Sequence, residues 1–342
     1  MSSTSKKILI TGAGGYIGSI TSDLLLQNGY EILALDNFSR GYRAPLDYLV
    51  NKYGSEKITW KELDLVTDDI ESVLKDQKIE AIIHFAALAN VGESWNQPDI
   101  YFNNNVIGTQ RIAQAAINSG IKNFVFSSSC SVYGDAQYSP MDEKHPLADP
   151  ASPYGATKKI CEEILSWYSK TDKLKTIFLR YFNVTGATDD HQLGDSKNPS
   201  FHLIQNAVRG ALGLGTFELN YADVKTPDGS PIRDYVNVVD LADAHMKAIE
   251  YLFKPESISN QFNIGTGQGN SVLEIIKIVK DKTGKDFKTG TAANRRQGEA
   301  DKMIADITKA KEILGWQPKH TLDQSIESLI EWYNQKPKGW EK

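Results

Sequence analysis

Short apolar, β-branched runs recur along the first part of the chain, at 8–11, 31–35, 58–63, 81–85, 124–127 and 176–179, with helically spaced stretches between them. Runs this apolar predict strands covered on both faces. Their alternation with helices predicts a parallel sheet with helices on both sides. Each run ends in a polar or glycine-bearing turn, at the strand edge where doubly wound sheets place their ligands. After Asn183 the rhythm breaks. A polar loop is expected from Gly186 to Ser200, an apolar helix from Phe201 to Leu212, and shorter strands and helices from there to about Tyr333. The stretch from Tyr221 to Pro231 has the composition of an irregular insertion. A chain of 342 residues also exceeds the roughly 250–300 residues at which one core stops growing. The expected fold is therefore α/β, with a doubly wound parallel sheet over residues 1–183 and a smaller α/β lobe over 184–342. Segments near 234–250 are expected to return to the first lobe.

Composition excludes several classes. With 40% hydrophobic and 24% charged residues, the chain is neither disordered nor collagen-like nor a small disulfide scaffold. A net charge of −5 gives no broad basic face for a nucleic-acid polymer. A phosphorylated ligand would need local cations and backbone amides. Cys130 and Cys161 are the only cysteines, with no CxxC pair to suggest a metal or redox centre, so a reducing compartment and no metal are expected. The polar opening Met1–Lys7 precedes only Ile8-Leu9-Ile10, so neither a signal peptide nor a membrane span is expected, and the protein reads as cytoplasmic.

The first strand runs into Thr11-Gly12-Ala13-Gly14-Gly15-Tyr16-Ile17-Gly18, which opens a helix to about Gln27. Glycines at 12, 15 and 18 permit a tight turn, close approach of a pyrophosphate to the backbone, and close helix–strand packing. The second strand ends in Asp36, 18 residues beyond Gly18. A carboxylate there accepts bonds from an adenosine ribose diol and repels a 2′-phosphate, which favours NAD over NADP, with Arg40 nearby pulling the other way. Asp64-Leu65 after strand three is placed to flank an adenine, and Phe85-Ala86-Ala87 after strand four to line a dinucleotide.

A second motif carries acid–base chemistry. In Ser152-Pro153-Tyr154-Gly155-Ala156-Thr157-Lys158, Ser152 can cap a helix whose first residue is Pro153. Tyr154 and Lys158 then share one helical face. A tyrosine acting as a base near neutral pH needs its pKa lowered by roughly 3 units, about 4 kcal/mol. A nearby ammonium, an oxidised nicotinamide and a helix N-terminus all favour the phenolate. The fifth strand ends in Ser127-Ser128-Ser129-Cys130-Ser131. Ser129 is the candidate to hydrogen-bond the same substrate oxygen as Tyr154, with Ser131 as a helper.

Taken together these segments resemble the extended short-chain dehydrogenase/reductases, of Rossmann type, and most closely the UDP-glucose (UDP-galactose) 4-epimerases. The resemblance runs through TGAGGYIGS, LDN, IIHFAA, VGES, YFNNNVIGT, FVFSSSCSVYG, SPYGATK, LRYFNVTGA, IRDYVNVVDLADAH, FNIGTGQGNSVLE and LGWQP, in family order. It implies a bound NAD, a UDP-sugar substrate, Tyr154 as the base at the sugar 4-hydroxyl, Lys158 on Tyr154 and the nicotinamide ribose, and a transient 4-keto sugar. It implies Tyr16, Ile17, Asp36, Asn37, Asp64, Leu65, Phe85, Ala86, Asn104 and Phe182 around NAD. Around the UDP-sugar it implies Asn183, His202, Leu203, Arg233 and Arg296, the two arginines serving as guanidinium forks for the diphosphate. It also implies a homodimer through helices near 104–118 and 153–170.

Three departures stand out. Many relatives have a pyrophosphate lysine where this chain has Ala89. Glu299, one methylene longer than the family's aspartate, would have to reach the uridine ribose. Met303 aligns with a position whose size governs access of N-acetylated sugars, and methionine is bulky but flexible. A preference for UDP-glucose and UDP-galactose over N-acetyl sugars is expected. A nucleotide-sugar 4,6-dehydratase would use the same fold and Tyr/Lys pair, but its added Asp–Glu acid/base pair is replaced here by Cys130 and Ser131. An epimerase for another UDP-sugar, such as a UDP-pentose, would use the same residues. A non-catalytic NAD-binding scaffold would not need both Tyr154 and Lys158.

Overall fold

Ile8, Leu9 and Ile10 are all inaccessible to solvent, as expected of a strand covered on both faces. The computed structural model describes residues 5–217, 219, 224–287 and 300–341. Its strands are β1 (Lys7–Thr11), β2 (Glu31–Asp36), β3 (Ile58–Glu62), β4 (Ile79–His84), β5 (Asn123–Ser129), β6 (Lys175–Tyr181), β7 (Asn183–Thr185), β8 (Ile232–Arg233), β9 (Tyr235–Asn237), β10 (Asn260–Ile264), β11 (Asn270–Ser271) and β12 (Lys302–Met303). Its helices are α1 (Tyr16–Gln27), α2 (Ala44–Tyr53), α3 (Ile70–Leu74), α4 (Val91–Asn96), α5 (Pro98–Tyr101), α6 (Gly108–Asn118), α7 (Pro153–Lys170), α8 (Leu203–Ala211), α9 (Val238–Leu252), α10 (Val272–Thr283) and α11 (Leu322–Gln335). A wider π-type turn, Phe102–Ile107, joins α5 to α6.

Seven parallel strands form the main sheet in the order β10-β6-β5-β4-β1-β2-β3. Alternate side chains of β1 enter different cores. Ile8 and Ile10 pack with Ile20 of α1 and Leu241 and Ile249 of α9, whereas Leu9 packs with Ile112 of α6 and Leu165 of α7. The chain winds one way through β2 and β3, then crosses back to β4, so the sheet reverses direction between β1 and β4. Their carboxyl ends splay apart there and open a crevice. Gly12 sits at that point with φ +69°, and a Cβ on it would come 2.7 Å from the Ala86 nitrogen. A Cβ on Gly18 would come 2.3 Å from the Gly12 carbonyl oxygen. Both glycines are therefore required by packing.

Three segments change or add to the expected picture. The seventh strand, β10, lies in the stretch expected to belong to the smaller lobe, yet it extends the main sheet beside β6. Its sequence, Asn-Gln-Phe-Asn-Ile, lacks an apolar run because Asn263 is buried with partners: Tyr133 donates to its Oδ1 at 2.6 Å, and its Nδ2 donates to the Met141 carbonyl at 2.8 Å. The polar loop 186–200 is also largely buried. The Ala187 amide donates to Ser328 Oγ at 3.0 Å, and Trp332 Nε1 donates to the Asp195 carbonyl at 3.0 Å. Its buried polar groups are thus paired inside the fold, while Asp189, Asp190 and Asn198 face solvent. The expected helix 201–212 is shorter, because His202 is extended (φ −104°, ψ 136°) and α8 begins at Leu203.

The smaller lobe has its own core, in which Ile204 and Val208 of α8 meet Ile275 and Val279 of α10 and Ile326 and Trp332 of α11. Beside it lie the β11-β8-β12 sheet and the β7–β9 pair. Buried Asp240 of α9 ties this lobe to the main sheet. It accepts from the Lys319 and His320 amides at 3.0 and 2.9 Å, and His320 Nδ1 lies 2.8 Å from its other oxygen. His320 Nε2 is 3.2 Å from Asp189. The bond to Asp240 raises the His320 pKa above its ordinary value, against the opposing effect of burial.

A raised folded-state pKa means that protonated His320 stabilises the fold fully below the unfolded histidine range of about 6.5 and that this contribution fades as pH rises through the folded value. Thermal unfolding of His320→Asn should therefore fall furthest below wild type near pH 6, with the gap narrowing toward pH 9. A gap independent of pH would show that His320 is not charged in the folded protein.

Candidate active site

The crevice between β1 and β4 deepens into a cavity of about 410 Å³. Its floor is the glycine turn. Gly12, Gly15, Tyr16, Ile17 and Gly18 all line it. Gly15 has no backbone need to be glycine beyond tight contact, since a Cβ there would meet only the Gly12 carbonyl, at 3.1 Å. Its missing side chain leaves the start of α1 open to the cavity, where free amides and the helix dipole suit a phosphate. Tyr16 is buried and its hydroxyl donates to the Gly186 carbonyl, so it also pins the smaller lobe to α1.

Asp36 and Asn37 line the next stretch. The Gly14 amide donates to Asp36 Oδ2 at 2.9 Å and the Phe38 amide to Oδ1 at 2.7 Å, fixing a buried carboxylate at the cavity wall. That suits a ribose diol and opposes a 2′-phosphate. Leu65 lines the cavity but Asp64 does not. Asp64 turns aside to accept from Asn37 Nδ2 at 2.8 Å and from the Val66 amide at 2.7 Å, so it positions Asn37. Phe85, Ala86 and Asn104 line the opposite wall. Buried Asn105 holds that wall to α7. It bridges the Leu88 amide and carbonyl at 2.8 and 3.0 Å, and its Nδ2 lies 3.0 Å from Thr157 Oγ1. Nothing in the local sequence distinguished Asn105 from its asparagine neighbours. The residues present thus fit NAD: an open helix start, a fixed carboxylate and an apolar wall.

At the far end α7 begins as its sequence dictates, with the Gly155 amide donating to Ser152 Oγ at 3.1 Å and Pro153 in the first turn. Tyr154 and Lys158 line the cavity from one face of α7, opposite Ser129 and Ser131 at the end of β5. Ser129 Oγ accepts from the Ser131 amide at 3.1 Å and donates to Ser131 Oγ at 3.1 Å, and the Ser129 hydroxyl acts to lower the Tyr154 pKa. Lys158 Nζ donates to the Ser127 carbonyl at 2.6 Å and stands 4.8 Å from the Phe126 ring centre and 6.0 Å from that of Tyr154. Tyr181, unremarked in the sequence, lines the same end and shares a hydrogen bond with Ser127 Oγ.

The electrostatics differ from the sequence expectation. The protein's own groups raise the Tyr154 pKa, first through burial and then through Tyr181, with the Ser129 bond opposing. Burial lowers that of Lys158 to about 8, with Cys161 and Glu162 opposing. At neutral pH the amine is still mostly charged and the phenol neutral. His84 is pushed down to about 3 by burial and then by Lys158, so it is a neutral link with Nδ1 2.6 Å from Thr11 Oγ1 and Nε2 2.9 Å from Thr109 Oγ1. The arrangement offers a hydroxyl donor, a phenol and a nearby ammonium to one oxygen of a bound molecule. That is the equipment for proton transfer coupled to oxidation of an alcohol.

Phe182, Asn183 and His202 line the side toward the smaller lobe. Leu203, Arg233 and Met303, which the sequence assigned to the same ligand, stand outside this lining. Leu203 packs on the core of the smaller lobe. Arg233 and Met303 face each other in register on β8 and β12, with Arg233 donating to the Ile232 carbonyl at 2.9 Å and Met303 packed against the cluster of Val132, Tyr133 and Phe182. Arg296 and Glu299 lie outside the described residues. The sequence also passed over Arg40 as a cavity residue and did not single out Lys197; both line the cavity. Among the described residues no group of histidine, cysteine, aspartate or glutamate side chains is arranged to hold a metal, and no helix is long and apolar enough to cross a membrane.

Comparison with known proteins converges on one family. The family described as GDP-mannose 4,6 dehydratase matches residues 9–329. The UDP-glucose 4-epimerase of Lactobacillus helveticus is 40% identical, over 98% of this chain and 99% of that protein. The crystal structure of UDP-glucose 4-epimerase from Bifidobacterium longum in complex with NAD+ and UDP superposes with a TM-score of 0.92 at 32% identity, covering 98% of this chain and 100% of that one. The UDP-Glc/GlcNAc 4-epimerase of Campylobacter jejuni gives a TM-score of 0.83 at 37% identity, over 96% and 99% of the two chains. Identity of this extent along the whole length, carried on the same fold, makes the chain a member of the UDP-glucose 4-epimerase family.

Proposed function

We propose that the protein inverts C4 of a UDP-hexose, interconverting UDP-glucose and UDP-galactose through a transient 4-keto sugar. The observation that carries this is the Ser129–Tyr154 pair with Lys158 alongside, set at the end of a cavity whose other end fits NAD. NAD, when bound, supplies the hydride acceptor and donor. Residues 1–183 hold the dinucleotide, with the glycine turn at the pyrophosphate, Asp36 at the adenosine ribose, Asn37, positioned by Asp64, and Leu65 about the adenine, and Phe85, Ala86, Asn104 and Phe182 along its length. Residues 184–342 receive the UDP-sugar, with Asn183 at the junction, His202 and Leu203 on the nucleotide, Arg233 and Arg296 on the diphosphate, Glu299 at the uridine ribose and Met303 limiting the sugar pocket.

Tyr154 takes the proton from the 4-hydroxyl and returns it after the sugar has presented its other face. Protonated Lys158 favours the phenolate during that exchange, and Ser129, steadied by Ser131, donates to the same oxygen as charge builds on it. The dehydratase alternative needs a further acid and base. Cys130 stands in one of those places, its thiol pushed up to about 12 by burial, and Ser131 in the other, so neither serves.

We further propose a cytoplasmic homodimer. Trp95, Ile100, Phe102 and Ile107 are exposed along the approach to α6, and Trp167 is exposed on α7, an apolar surface suited to pairing α6 and α7 with a second copy. Sedimentation velocity at micromolar concentration should give twice the chain mass, and a monomer would contradict the pairing.

Incubation with UDP-galactose and no added cofactor should yield UDP-glucose, with UDP-N-acetylglucosamine turned over more slowly. A 4-keto-6-deoxy product would replace this reading with the dehydratase. Tyr154→Phe should keep nucleotide binding while losing about 10²- to 10⁴-fold in turnover, the range of one general acid–base group. Near-normal turnover would remove Tyr154 from the mechanism.

A further inference from the structure

Arg40, Lys158 and Lys197 are the described lysines and arginines that line the cavity. Lys158 is engaged by the Ser127 carbonyl at the catalytic end. The Arg40 guanidinium lies 2.6 Å from the Glu93 carboxylate, which also accepts from the Tyr101 hydroxyl at 2.8 Å. Lys197 has no carboxylate at ion-pair distance among the described residues. Its Nζ stands 5.0 Å from the centre of the Phe201 ring, which lines the same cavity.

The backbone around Lys197 is anchored to the glycine turn. The Tyr42 amide donates to the Gly14 carbonyl at 2.9 Å, and the Tyr42 hydroxyl donates to the Ser196 carbonyl at 3.1 Å. The Lys197 amide donates to the Asp195 carboxylate at 3.2 Å, and Trp332 of α11 holds the Asp195 carbonyl at 3.0 Å. One tyrosine thus links the turn at the start of α1 to the residue preceding Lys197. The same turn, Arg40 and Lys197 also border a second, smaller recess.

We infer that Lys197 is the counter-cation of the NAD pyrophosphate, supplied by the smaller lobe. The start of α1 offers amides and a partial positive charge of roughly half a unit, which leaves a doubly anionic pyrophosphate under-neutralised. Arg40 is held by Glu93 and Lys158 by Ser127, and Lys197 provides the remaining cation on that side of the cavity. The assignment rests on the cavity being an NAD site. It makes cofactor retention depend on the 186–200 loop, so the lobe that receives the nucleotide sugar also holds the cofactor in place.

Binding of NAD, adenosine and UDP to wild type, Lys197→Met and Lys197→Arg tests this without any turnover. Lys197→Met should weaken NAD by about tenfold, the size of one charge-assisted contact, and should flatten the fall of NAD affinity with added salt. Adenosine and UDP should bind as in wild type, and Lys197→Arg should recover most of the NAD affinity. NAD binding within twofold of wild type in Lys197→Met would overturn the assignment. So would equal weakening of UDP, which would move Lys197 to the nucleotide sugar, or equal weakening of adenosine, which would make its role structural. Conversion of UDP-galactose by the same variant, supplied with saturating NAD, is scored separately, so the assignment can fail while the epimerase reading stands.

Discussion

Burying an amine and a phenol four residues apart on one helix face sets the terms for the rest of the molecule. Low polarity around α7 pushes Tyr154 toward the neutral phenol and brings Lys158 down to about 8, so the phenol is held neutral and the amine keeps only a narrow margin of charge. The lysine stays mostly protonated at neutral pH, with Cys161 and Glu162 opposing the effect of burial. The Ser129 hydroxyl acts on the phenol in the opposite direction. A base of this kind is weak until further positive charge reaches it. Its strength is therefore set by what the cavity contains, which restrains reaction until the reacting groups are assembled.

Such a site needs rigid walls, and the sheet reversal between β1 and β4 supplies them. It opens the crevice, and the close approach of Gly12 to Ala86 fixes its width. Asn105 locks the loop after β4 to α7, so the helix that carries Tyr154 and Lys158 moves with the wall facing the glycine turn. On the other side Tyr16, Tyr42 and Asp240 fasten the smaller lobe to the sheet through hydrogen bonds between side chain and backbone. The two lobes thus share the cavity as a common boundary.

Much of this was legible in the sequence where local physics is decisive. Six short, mostly apolar runs announced six strands, Ser152-Pro153 announced the start of α7, and the glycine turn announced the start of α1. The features that escaped depend on contacts distant in sequence. β10 was hidden because its buried Asn263 is satisfied by Tyr133 and Met141, over a hundred residues away. The burial of the polar 186–200 loop was not legible because its partners, Ser328 and Trp332, come from the last helix. The effect of burial on Tyr154 was not legible because helix spacing reports only that Lys158 is near, whereas burial is a property of the assembled site.

The central claim is that the hydrogen leaving C4 returns to the same carbon on its opposite face within one turnover, while Tyr154 handles only the hydroxyl proton. Conversion of UDP-[4-²H]galactose in ordinary water, with no cofactor added, tests it most directly. The account predicts UDP-glucose that keeps its deuterium at C4. Product that has exchanged that deuterium for solvent hydrogen would contradict it, because C4 would then have been inverted by proton exchange.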